Sequence, residues 1–196
     1  MNYDYRWPVT FIASEQTNKS SIIVRAIDNL YYEEEIHKEG HVFFEYGKKN
    51  ISCYVYEPKE RFKTTGDFRS RGCFIVYDIT NRQSFDEVIE LLSAESSRPV
   101  VLVGSNSDLE DKRQVYYDEA QEFAFSKNIP FIEVSAKTGS NINEMFKLMA
   151  NAIVYESLRV KKHSIYELVD TSGKIFQELI NPQMGEMSGV EFESQK

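Results

Sequence analysis

Four short apolar runs set the frame for this chain: VTFI at residues 9–12, CFIVY at 73–77, VVLV at 100–103 and FIEV at 131–134. Their near-continuous apolar character predicts strands covered on both faces, not strands with one wet side. Between them lie segments with helical spacing. Residues 19–30 form the first, and Phe85, Val88, Ile89, Leu91 and Leu92 mark the second. A third runs from about residue 118 to 127, and a fourth from 141 to about 161, with Ile142, Met145, Phe146, Leu148, Met149, Ile153 and Val154 on a broad apolar face. Asn141 followed by Glu144 predicts a capping box at its start. Strand–helix alternation of this kind folds as a mostly parallel α/β sheet with helices on both faces. One exception is expected at residues 42–46 and 51–56. They read as an antiparallel hairpin joined by GKKN, giving the parallel sheet one antiparallel edge strand.

With 196 residues and 22.8 kDa, the chain predicts one main domain, assigned to residues 1–162. Residues 163–196 are expected to form an extension: a short helix within 163–180, then a disordered tail from Asn181. A net charge of −8 and a pI near 5.0 argue against nucleic acid or an anionic membrane as main partner. Cys53 and Cys73 both lie in apolar runs and read as buried free thiols of a reducing compartment. No apolar run approaches the roughly 18 residues of a membrane span, and MNYDYRWPVT lacks a signal peptide's apolar region. The expectation is an intracellular, cytoplasmic protein.

After the first strand comes ASEQTNKS, residues 13–20. Its spacing is that of the phosphate-binding loop G-x-x-x-x-G-K-[ST], with Lys19 and Ser20 in place but Ala13 and Asn18 at the two glycine positions. Such loops point consecutive backbone N–H groups at phosphates beside a helix N-terminus, and need φ > 0 where the glycines stand. Asn18 is the best non-glycine residue for that conformation. Glu15 is the harder substitution, because a carboxylate ~5 Å from one phosphate charge costs roughly 3 kcal/mol at an effective dielectric of 20. That is about a hundredfold in affinity.

Two further stretches, VGSNSDLEDKRQV (103–115) and FIEVSAKTGSNINEMF (131–146), closely resemble the guanine-reading loops of Ras-superfamily small GTPases. Their flanks, FIVYDITNRQSFDEV and DEAQEFAFSKNIPF, resemble the Rab branch most. The resemblance covers roughly residues 7–160 and implies the three-layer P-loop small-GTPase fold with a six-stranded sheet. In the family an Asp of N-K-x-D accepts two hydrogen bonds from the guanine edge. Asp108 matches it, while Ser105 and Asn106 replace the Asn and Lys that support base and loop. The resemblance places Ser135, Ala136 and Lys137 at the S-A-K turn, and Tyr31 at an aromatic packed on the base. Lys19, Ser20, Tyr31, Asp108, Ser135, Ala136 and Lys137 are thus the candidate residual nucleotide site. A structural reading stands beside each: Asp108 as a turn residue, the S-A-K turn as a strand closure, Tyr31 as packing, Lys19 as a solvated lysine or the partner of Glu15.

Magnesium fares worse. The family holds it with the loop Ser or Thr, a switch Thr and the Asp of D-T-A-G-Q, and only Ser20 is present. Alignment puts Lys38 at the switch Thr, Val55 at the Asp, Pro58 at the Gly and Lys59 at the water-orienting Gln, although Glu57 or Glu60 could substitute as acids. No D-x-x-G occurs between residues 51 and 66, and hydrolysis needs a bridging metal and oriented water. No cysteine follows Cys73, and residues 163–196 carry six acids and two lysines, so neither prenylation nor a basic patch supplies a lipid anchor. Two readings stay open. One is a pseudo-GTPase scaffold without catalysis, metal or resident cofactor, binding protein partners through a surface near Tyr31, Tyr32, Phe43, Phe44, Tyr54 and Tyr56. The other is an atypical switch that still takes GDP or GTP weakly, without magnesium.

Overall fold

In the computed structural model, the residues described are 3–14, 17–32, 34, 36–57, 70–94 and 98–160, apart from the side chains of 93, 94 and 158–160. The chain divides into two units, Met1–Glu156 and Ser157–Lys196. Everything below concerns the first. The extension expected at 163–196 lies outside the described residues, as do Glu15, Pro58, Lys59 and Glu60.

The described residues form six strands and four α-helices: β1 (Tyr5–Ala13), α1 (Lys19–Asp28), β2 (Gly40–Tyr46), β3 (Lys49–Tyr56), β4 (Gly72–Asp78), α2 (Arg82–Ala94), β5 (Val100–Ser105), α3 (Tyr117–Ser126), β6 (Phe131–Glu133) and α4 (Ile142–Val160). The sheet order is β2-β3-β1-β4-β5-β6. Every pair is parallel except β2 with β3. The fold class and all four predicted helices are as the periodicity required.

The all-apolar strands are covered on both sides. Phe74 and Val76 of β4, with Val101 and Val103 of β5, join α1 and α4 in one buried layer. Cys73, Ile75 and Tyr77 of β4, with Val100 and Leu102 of β5, join α2 and α3 in the other. Successive side chains point to opposite faces, so one uninterrupted apolar run feeds two cores. Phe146 of α4 centres the first layer, with its ring centroid 5.3 Å from Phe74 and 6.0 Å from Phe44. Gly72 lets β4 pass under α4, since a Cβ there would meet Met149 Sδ at 2.3 Å.

Two local expectations need correction. The hairpin turn is tighter than GKKN: Tyr46 pairs with Lys49, so only Gly47 and Lys48 make the turn, with Gly47 at φ 63°. Pairing extends because each added rung satisfies two backbone groups that the turn would leave to water. The capping box at α4 does not form as expected. Asn141 adopts φ 59° and donates its side-chain N–H to Glu133 O at 2.8 Å. That bond closes the β6–α4 connection, which outweighs a cap bond at an exposed helix end.

Candidate functional site

Parallel strands deliver their C-terminal ends, and the loops after them, to one edge of the sheet. The loop after β1, Glu57 after β3, Asp78 at the end of β4, Ser105 at the end of β5 and the turn after β6 all gather there.

Asn18 takes the left-handed conformation expected of it, with φ 51° and ψ 24°, and leads directly into α1. Its side-chain N–H donates to Asn106 Oδ1 at 3.0 Å, and the Asn106 amide donates to Asp78 Oδ2 at 2.8 Å. Ser105 Oγ lies 2.9 Å from Thr17 O and 2.9 Å from Tyr77 O. Ser105 and Asn106, which stand where the family has its supporting Asn and Lys, both tie the β5 loop to the phosphate-type loop. Ser105 does so with one hydroxyl set between two carbonyls, and Asn106 with a carboxamide oxygen that accepts from Asn18.

On the base-reading side the candidates come together. Ser135 Oγ donates to Asp108 Oδ1 at 2.6 Å, and Thr138 N–H donates to Ser135 Oγ at 3.1 Å. Asp108 is exposed. Arg25 of α1 holds the adjoining turn: its Nε donates to Ala136 O at 2.6 Å and Nη2 to Lys137 O at 2.8 Å. Nη1 returns to Asn29 O at 2.9 Å. Ala136 is buried and Lys137 exposed. Tyr31 is half-buried and packs on the core shared by α1 and α4.

The phosphate side is arranged differently. Lys19 Nζ, at the first residue of α1, lies 2.8 Å from Glu57 Oε2. Ser20 Oγ donates to Glu57 Oε1 at 3.0 Å, and His37 Nδ1 lies 3.5 Å from Glu57 Oε2. One carboxylate therefore engages both side chains of the K-S pair. Among the described residues, the carboxylate paired with Lys19 is that of Glu57. Lys38 pairs with Asp28 near the end of α1, away from this cluster. Val55, aligned above with the family's metal-side Asp, is fully buried in β3 opposite Val9 and Gly40. Glu57 is the first residue past β3 and stands where that strand delivers an acid. Among the described residues, no three His, Cys, Asp or Glu side chains are grouped so as to hold a metal ion.

The family model described as Ras family matches residues 9–155. The chain belongs to the Ras family. Within this Ras-family chain the likeness is to the Rab branch. It is 35% identical over 165 residues to the GTP-binding protein ypt1 of Schizosaccharomyces pombe, covering 77% of this chain and 81% of that one. Identity to the GTP-binding protein YPT1 of Saccharomyces cerevisiae is 34%, covering 77% and 80%. To the Ras-related protein RABD2a of Arabidopsis thaliana it is 33%, covering 77% and 81%. The mixed six-stranded sheet is the P-loop fold of these small GTPases.

Sequence reading missed the role of three features. Arg25 gave no motif signal, because a helix arginine is ordinarily solvated. The Asn18–Asn106–Asp78 chain joins residues far apart in sequence. Glu57 was legible only as one of two acids near a degenerate motif. What singles it out is its place one residue beyond the end of a central parallel strand. Among the described residues, no helix is long and apolar enough to cross a membrane.

Proposed function

We propose that this Rab-like protein is a pseudo-GTPase that serves as a protein-interaction module, with GTP and magnesium binding lost or strongly weakened and no hydrolysis of its own. The observation carrying this reading is the engagement of Lys19 and Ser20 by the single carboxylate of Glu57. A Lys at this point in a phosphate loop acts as a point charge on the phosphates, and the following hydroxyl serves the metal. Here both are committed to an internal anion.

The groups present fit the two halves of a guanine nucleotide unequally. On the base side, Asp108 oriented by Ser135 and the turn held by Arg25 suit a guanine edge. On the phosphate side, a magnesium ion would need Glu57 to leave the ammonium of Lys19, and Ser20 and Glu57 would then supply two ligands. That donor set does not fit a bridging metal, so no hydrolytic step is assigned. GDP or GTP without magnesium remains the second reading, favoured by the 2.6 Å Asp108–Ser135 bond. Its relatives are named as GTP-binding proteins.

The proposed protein-binding face lies on the β2–β3 hairpin. Phe43 is 56% exposed and stacks with Tyr3 at 4.9 Å and with His41 at 5.8 Å, while Tyr54 and Tyr56 continue the aromatic row. The protein is proposed to be cytoplasmic and to reach any membrane through its partner.

Melting curves with GDP or GTP, in magnesium and in EDTA, test the reading, together with chromatography of nucleotide released from the denatured purified protein. No co-purified nucleotide and no shift are expected. A ligand at 100 times its dissociation constant would stabilise by about 2.7 kcal/mol, and a magnesium-dependent shift of that size overturns the pseudo-GTPase.

A further inference from the structure

We infer that Glu57 is a built-in competing anion: its carboxylate occupies the place of a ligand phosphate at Lys19, and nucleotide binding is gated by whether it leaves. This rests on the pseudo-GTPase reading and adds its cause. Parallel pairing of β1 with β3, with Thr10 opposite Tyr56, brings the residue after Tyr56 beside the loop that leads into α1. Glu57 therefore leaves the sheet facing the helix N-terminus. A lysine at the start of a helix is opposed by the helix dipole unless an anion accompanies it. Among the described residues, that anion is Glu57, 83% removed from solvent at its side chain and held by ammonium and hydroxyl.

A phosphate arriving here meets two obstacles of one origin. Lys19 is already paired, and the carboxylate charge sits within a few ångströms of the incoming charge. Both vanish if Glu57 is neutralised, whereas the base side, built from Asp108, Ser135 and Arg25, does not depend on Glu57. At an effective dielectric of 20, one unit charge at ~5 Å is a penalty of about a hundredfold. The same carboxylate is the handle by which a partner could open the site, by offering Glu57 a different cation.

Binding of GDP and of inorganic pyrophosphate is measured by calorimetry, in EDTA and again in magnesium, for the full chain, Glu57→Gln, Glu57→Asp and Glu57→Gln with Lys19→Gln. Glu57→Gln should bind both probes at least tenfold tighter than the native chain. Glu57→Asp, which keeps the charge, should show a smaller gain, and the added Lys19→Gln should abolish it. Equal, weaker or undetectable binding by Glu57→Gln overturns the inference, provided its melting temperature shows a folded chain. A Glu57→Gln that loses affinity only in magnesium overturns it too, by making Glu57 a metal-side group. Failure of the pseudo-GTPase reading looks different: the native chain itself would bind GTP tightly with magnesium.

Discussion

Arg113 and Glu133 face each other with two parallel hydrogen bonds, Nη1 to Oε1 and Nη2 to Oε2, each 2.7 Å, and both side chains are 9% exposed. Arg113 follows the Asp108 loop and Glu133 is the last residue of β6, before the Ser135 turn. The fork thus joins the two loops of the base-reading side. Arg113 would keep only the exposed Glu110 as partner and lose its buried fork, so Glu133→Ala should cost about 1–3 kcal/mol in urea unfolding. Glu110→Ala removes only an exposed carboxylate bonded to the same arginine, and should cost under about 1 kcal/mol. Equal losses for the two variants would contradict this account.

Asn18 should be distinguishable from alanine by its backbone alone. At φ 51° an L-residue with a plain Cβ is strained, whereas glycine is not. Asn18→Ala and Asn18→Gly both lose the bond to Asn106, so their difference isolates the conformation. The alanine variant should be the less stable by about 1 kcal/mol, read from denaturant midpoints.

Asp4 makes the hairpin's attachment to the N-terminal strand sensitive to acid. Its carboxylate accepts from Asn50 N–H and from Lys49 Nζ, both at 2.9 Å. The Asn50 bond, then Lys49, hold its pKa below the ordinary value of 3.8. With the folded value depressed, the contribution is complete above pH 3.8 and is lost as pH falls through the folded value. Lowering the pH from 5 to 3 should therefore reduce the urea midpoint more in the native chain than in Asp4→Asn.

Cys53 should resist thiol reagents while the protein is folded. It is buried in β3 and burial pushes its thiol up to about 12, leaving almost no thiolate at pH 8. Iodoacetamide at pH 8 should label Cys53 only after denaturation, as read by peptide mass. Rapid labelling of the native chain at this position would contradict its packing.

The fold was almost entirely legible in sequence. Runs such as CFIVY have no polar face, so they must be central strands, and helices had to cover both sides. Asn18 was legible for the same local reason, since left-handed φ is a property of one residue and its neighbours. The aligned metal position was not. Val55 matched by count, but it is buried in β3 opposite Val9, and which residue first leaves the sheet toward α1 is fixed only by the pairing of β3 with β1. Asn141 illustrates the opposite error: a sound local rule, the capping box, lost to a bond with Glu133 eight residues away.

By itself, then, the sequence determined the strand–helix order, the two-faced core and the candidates Lys19, Asp108 and Ser135, because hydrophobic period and short motifs are local. Only the tertiary structure decided that Lys19 and Ser20 meet Glu57, and that Arg25 holds the turn at Ala136 and Lys137. Those partners are 37, 38, 111 and 112 residues apart, and charges so separated find each other only after parallel strands have brought their ends to one edge.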